Sequence, residues 1–153
     1  RPVLRSGRIN RILLYAGSFN PPHRGHQSLL YHAFKHSQDI NIIAAIIFPL
    51  DDIHVEAKCR ALGEDLIFTK AQRVKLWTPF VPHDWYWVFD RSERDLDSFR
   101  SRLTEAISKD GFDLKFVALT GPDYIQLNRP LPWNAWNCEE IVVSDVSRPA
   151  DFL

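Results

Sequence analysis

Ile12-Leu13-Leu14-Tyr15-Ala16-Gly17-Ser18-Phe19-Asn20-Pro21-Pro22-His23-Arg24-Gly25-His26 is the stretch that decides the fold. The apolar run from Ile12 to Ala16, bounded by Gly17, predicts a buried strand. A helix is predicted from about Gly25 to His36, because Leu29, Leu30, Ala33 and Phe34 recur at helical spacing. Pro21 and Pro22 stand before it, where a missing N–H does the helix no harm. A strand that passes through a glycine turn into a helix N-terminus is the unit of an α/β sheet, whose ligands gather at the carboxyl ends of strands. Gly17 and Ser18 let backbone approach a phosphate closely, since glycine has no Cβ. The helix start points unsatisfied N–H groups and a partial positive charge into the same space, and His23, Arg24 and His26 add side-chain donors. A Gly-Ser turn near one histidine is ordinarily just a loop. His-x-Gly-His on the first helical turn, straight after Gly-Ser-Phe-Asn-Pro, is far more specific and suits a chain of phosphates.

Outward from that stretch, strands and helices alternate. Residues 1–10 are polar and basic and read as a tail. Ile42 to Phe48 is almost wholly apolar, as expected of a parallel strand covered on both faces. Residues 50–68 read as a long functional loop, and Thr69 as the cap of a helix from Lys70 to Trp77. Trp85 to Phe89 is a third strand. Asp95 to Lys109 is an amphipathic helix with Leu96, Phe99, Leu103, Ala106 and Ile107 on one side and Gly111 past its end. Leu114 to Leu119 and Ile141 to Ser144 complete the strands, with a Pro- and Trp-bearing loop from about Asn128 to Asn137. This alternation implies βαβ units with right-handed crossovers.

Composition bounds the function. The 153 residues suit one domain. With 19 basic and 19 acidic residues the formal charge is zero, which gives no broad electrostatic reason to bind nucleic acid or an anionic membrane. No apolar run approaches the roughly 20 residues that span a bilayer. Cys59 and Cys138 form no metal-ligand spacing and read as reduced thiols of an intracellular protein, cytoplasmic or nuclear. The chain begins at Arg1 and has no methionine, so it is expected to be incomplete, with spacings across loops shortened.

Residues 12–34 resemble the signature of the His-x-Gly-His nucleotidyltransferase superfamily. Gly-Ser-Phe-Asn-Pro-Pro-His is most similar to the nicotinamide mononucleotide (NMN) adenylyltransferases. The resemblance implies an α/β, Rossmann-like three-layer sandwich with a mostly parallel five-stranded sheet in the order 3-2-1-4-5. It also implies that Gly17, Ser18, Phe19, Asn20 and Gly25 bind the nucleotide and that His23 and His26 are catalytic. Lys58 stands where the family has a basic residue after the second strand, which makes it a further catalytic candidate, and Arg73 where an Arg opens the next helix, which makes it a substrate-binding candidate; taken singly, each reads equally well as a solvated charge. Gly121-Pro122-Asp123 matches the family's Gly-x-Asp after the fourth strand, which implies that Gly121 and Asp123 meet the nucleotide. Trp133 fits the family's nicotinamide-stacking Trp, with Trp136 a second candidate; either reads equally as a core or interface residue. Arg148 matches the turn after the last strand and is a further substrate-binding candidate.

One departure stands out. The family's later Ser-Ser/Thr-x-x-Arg motif, which grips the triphosphate, has no counterpart after Arg148, so the single domain over 1–153 is expected either to have been shortened there or to lack half its phosphate clamp. The reaction implied is transfer of AMP from ATP to NMN with release of pyrophosphate, Mg²⁺ arriving with ATP and no metal ligand supplied by the protein. A cytidylyltransferase, a phosphopantetheine adenylyltransferase and a catalytically weak nucleotide-binding regulatory module remain alternatives, and self-association is left open. A dinucleotide-dependent dehydrogenase is disfavoured, because no Gly-x-Gly-x-x-Gly follows the first strand.

Overall fold

A computed structural model describes residues 2–77, 84–121 and 135–143. Among these residues nine principal elements follow one another: β1 (Ile9–Gly17), α1 (Arg24–His36), β2 (Ile42–Pro49), α2 (Asp52–Leu62), α3 (Lys70–Trp77), β3 (Tyr86–Val88), α4 (Glu93–Lys109), β4 (Asp113–Thr120) and β5 (Glu140–Val143). The strands form one sheet in the order β3-β2-β1-β4-β5, with every neighbouring pair parallel. This is the α/β, Rossmann-like architecture expected, with its strand order.

The central strands are apolar along their length because both faces are covered. Leu13 and Tyr15 of β1, Ala45 and Ile47 of β2, and Val117 and Leu119 of β4 face a core with Leu29, Leu30 and Ala33 of α1 and Trp77 of α3. Alternate residues, Ile12, Leu14, Ala44, Ile46, Phe48, Phe116 and Ala118, meet Leu96 of α4 on the other side. Phe99, Leu103 and Ile107 extend that second contact along the amphipathic stripe of α4. A period of two in the strands thus feeds two helical layers.

Two expectations are corrected. Residues 50–68 are not all loop: α2 occupies Asp52–Leu62, between Asp51 as N-cap and Gly63 in the left-handed conformation at φ 69°. Its buried residues are only Val55 and Cys59, a stripe too thin to stand out among polar neighbours. The N-terminal segment is also tied down, since β1 starts at Ile9 and Asn10 is fully buried. The Asn10 amide nitrogen donates to the carbonyls of Arg5 and Asp113 at 3.0 Å each. Its oxygen accepts from the Arg5 N–H at 2.8 Å and from Asn41 Nδ2 at 3.1 Å. Thr69 caps α3 as expected: its hydroxyl accepts from Gln72 N–H at 3.2 Å while Gln72 Oε1 accepts from Thr69 N–H at 2.9 Å.

Candidate nucleotide cleft

The carboxyl ends of β1 and β4 and the N-terminus of α1 open on one cleft of about 500 Å³. Its chemistry starts at the cap of α1. His23 is the N-cap, in extended conformation, and its Nδ1 accepts from the Gly25 N–H at 3.0 Å. The His23 N–H donates in turn to Nδ1 of His26 at 3.1 Å. The two imidazoles stack, centroids 3.7 Å apart and planes inclined by 21°. Because each Nδ1 is an acceptor, each neutral ring carries its proton on Nε2. The pair stands beside a helix start whose first turn has no acidic residue.

The turn that delivers these histidines is supported from below. Phe19 has φ 48° and only 3% exposure, and its ring lies edge-on to His26 at 5.0 Å, to Tyr15 at 5.1 Å and to Trp77 at 4.9 Å. Asn20 clamps the turn to the segment after α2. Its Nδ2 donates to Leu66 O at 2.9 Å and contacts Cys59 Sγ at 3.4 Å, and its Oδ1 accepts from the Phe68 N–H at 2.7 Å. Gly17 O accepts from the Leu50 N–H at 2.9 Å.

Lys58, on α2, is exposed and lines the cleft. Next to it Cys59 is buried, and its Sγ lies 3.5 Å from Glu64 Oε2. Burial, then the Glu64 hydrogen bond and charge, push this thiol up, against smaller opposite effects of Asn20 and Lys58. Cys59 is therefore a neutral wall residue.

Gly17, Ser18, Phe19, Asn20, His23, Gly25, His26, Lys58 and Gly121 all line the cleft. Arg73 lies elsewhere. Its side chain is fully buried, with Nη1 donating to Ser18 O at 2.8 Å, Nη2 to Leu50 O at 2.6 Å and Nε to Phe68 O at 3.2 Å. Nη2 also pairs with Asp52 Oδ1 at 3.1 Å. Arg73, a substrate-binding candidate of the sequence, is not among the residues that line the cleft, and its donors are engaged by carbonyls beneath the turn and by Asp52. Asp123, Trp133 and Arg148 lie outside the described residues. Trp136, the second stacking candidate, packs against the α4-side core, 5.5 Å from the Phe48 ring.

Sequence reasoning missed Tyr15, Leu50, Cys59, Glu64 and Thr120 as cleft residues. Thr120 carried a signal, since it ends an apolar strand directly before Gly121. A second hollow of about 850 Å³ runs along α4 between Asp97, Arg100 and Phe116. It is an open groove away from the strand ends, and Arg100 there is bound to the carbonyls of Trp136 and Asn137. Among the described residues no group of three or more His, Cys, Asp or Glu is placed to hold a metal ion, and no helix is long and apolar enough to cross a membrane.

A family model described as cytidylyltransferase-like matches residues 14–143, from within β1 to the end of β5. No curated protein matches the chain.

Proposed function

The chain belongs to the cytidylyltransferase-like family, a nucleotidyltransferase family, and from that membership we propose that it transfers AMP from ATP to NMN and releases pyrophosphate. The observation that carries this reading is the locked His23–His26 pair, with both Nδ1 atoms taken by backbone N–H groups and the two imidazoles stacked at the start of α1. The Gly-Ser-Phe-Asn-Pro turn, with an Asn at position 20, favours NMN as acceptor by its likeness to the NMN adenylyltransferases.

The acceptor phosphate of NMN is ionised at neutral pH, so it needs no general base. It attacks the α-phosphorus of ATP in line; a P–O bond forms there while the bond to the β-phosphate bridging oxygen breaks, and pyrophosphate leaves. The protein then contributes positioning and stabilisation of developing charge. His23 and His26 donate to phosphate oxygens, and Lys58 offsets their charge. Gly17, Ser18 and Gly25 give the nucleotide access to backbone N–H groups, and Gly121 leaves room beside β4, since a Cβ there would meet no atom of the described residues within 4 Å. Asp123, Trp133 and Arg148 are the proposed ribose, nicotinamide and phosphate contacts. Mg²⁺ belongs to this scheme as part of the ATP substrate, held by phosphate oxygens and water. Phe19, Asn20 and Arg73 act through the turn as positioning residues.

Pyrophosphate release from ATP or CTP, assayed on the natural full-length chain against NMN, nicotinic acid mononucleotide and phosphopantetheine, tests the proposal. Release with ATP and NMN supports it. Release with CTP alone moves the chain to a cytidylyltransferase, the reading the family's own description favours. ATP binding without release under any pairing leaves a regulatory module. His26→Ala is expected to lower turnover by about 10²–10³ with the fold intact; near wild-type turnover rules out the role given to His26.

A further inference from the structure

Four buried side-chain atoms lack a hydrogen-bond partner among the described residues: Trp77 Nε1, Glu93 Oε1, Arg100 Nε and Thr120 Oγ1. Only Thr120 of these also lines the cleft. It is the last residue of β4, 5% exposed, paired with Val143 of β5 and adjacent to Gly121. A buried hydroxyl without a partner destabilises a protein, and native folds rarely retain one without a reason.

The two sides of the cleft differ in their ionisable groups. His23, His26, Lys58 and Glu64, the last held against Cys59, stand on the α1 and α2 side, whereas β4 contributes Leu119, Thr120 and Gly121, none of them ionisable. Phosphates belong on the first side, so the β4 side meets the uncharged part of a nucleotide. A threonine is suited to that wall. A 120° turn about χ1 carries the hydroxyl from its covered position to another staggered position of a side chain that lines the cleft, with the methyl group moving in the same sense. It can then donate to or accept from a neutral group.

Resting on the nucleotide-cleft reading above, we propose that Thr120 is a specificity-determining residue whose hydroxyl hydrogen-bonds the nucleoside part of a bound nucleotide, at a ribose hydroxyl or a polar atom on the base edge. Thr120→Val keeps the shape and removes the hydroxyl. Isothermal calorimetry of the wild-type protein and this variant with ATP, CTP and NMN should show binding of at least one ligand weakened about three- to tenfold, the scale of one net hydrogen bond. The thermal midpoint of the free variant should stay unchanged or rise, because an unpartnered buried polar atom is gone. A hydroxyl with a purely structural role gives the opposite pattern, a lower midpoint with unchanged affinity. Comparison of the affected ligand with its 2′-deoxy form then separates sugar from base: a ribose preference lost in the variant marks the sugar, and one retained marks the base.

If Thr120→Val does not fold, Thr120→Ser and Thr120→Ala make the same comparison, with Ser holding wild-type affinity and Ala losing it. Equal affinity of wild type and the hydroxyl-free variants overturns the proposal while leaving the nucleotide cleft standing. A wild-type protein that binds none of the three ligands removes the cleft reading itself, and this contact with it.

Discussion

At Gly17 an added Cβ would lie 2.9 Å from two carbons of the Phe19 ring, closer than packed side chains come. The glycine is needed for its missing side chain, which lets Phe19 fold back under the turn. Phe19 itself holds a left-handed conformation at φ 48°, which costs a non-glycine residue about 1–2 kcal/mol. Burial of its ring against Tyr15, Trp77 and His26 offsets that cost. Gly17→Ala must displace the ring and so loosen the His26 imidazole above it. Its expected cost is about 1–3 kcal/mol of stability, the range for overpacking, together with weaker ATP binding. Urea titration and calorimetry check both; unchanged stability would mean that the turn relaxes more easily than its contacts imply.

At the scale of elements, α2 and α3 are docked on the turn through charged side chains. Arg73 of α3 joins Ser18, Leu50, Asp52 and Phe68. Arg73→Met removes the donors and leaves the half-buried carbonyls of Ser18, Leu50 and Phe68 without them, while Asp52 keeps the Lys70 N–H, so a loss on the order of 3 kcal/mol is expected. Arg73→Lys should recover only part of it, because an ammonium cannot present the guanidinium fork. Chemical denaturation of both variants measures the difference, and equal stability of wild type and Arg73→Met would refute the docking role.

Asp51, the N-cap of α2, pairs with Lys70 at 2.8 Å and accepts from the Glu93 N–H at 3.3 Å. Burial pushes its carboxyl up, but the Lys70 hydrogen bond, the Glu93 N–H and the charges of Lys70 and His54 together hold it below its ordinary 3.8. The unfolded chain then takes up the proton first as pH falls, so stability rises with pH across that interval. The Asp51 contribution is complete above about pH 4 and fades as acid titrates the folded carboxyl. Asp51→Asn should be less stable than wild type at pH 7, with the gap closing below pH 4. A gap that persists at the acid end would mean that the charge of Asp51 is not what stabilises this corner.

Across the whole molecule, Cys59 and Cys138 are free and buried. Burial first raises the Cys138 thiol, against the nearby Arg100 charge, so both sulfurs react slowly while the fold is closed. Labelling by a disulfide reagent should therefore follow opening of the structure. Bound ATP should slow Cys59, which lines the cleft, more than Cys138, which sits in the α4-side core. Equal protection of the two would place the nucleotide away from the cleft.

The parts of this molecule that could be read from its residues are those written locally. The alternation of apolar strands with helices foretold the parallel sheet, the family resemblance its order, and Gly17, His23 and His26 lie within one turn and one cap. Longer-range facts were hidden. α2 exposes most of its surface, so only Asp51 and Gly63 marked its ends. Arg73 is a residue type ordinarily at the surface, and only the convergence of three chain segments buries it. Thr120 needed the parity of β4 and the shape of the cleft before its hydroxyl became conspicuous.

The guanidinium beneath the turn bears on transplantation. Copying Gly17 to His26 onto another strand–turn–helix scaffold would carry over the histidines and their cap, yet leave the Ser18 carbonyl without its donor. A working graft would need the α3 arginine and the two carbonyls it shares with the turn, at Leu50 and Phe68, on the same host. The smallest portable unit of this site is accordingly discontinuous. It runs from β1 to the end of α3, and a designer who moved less would inherit a sequence signature in place of a cleft.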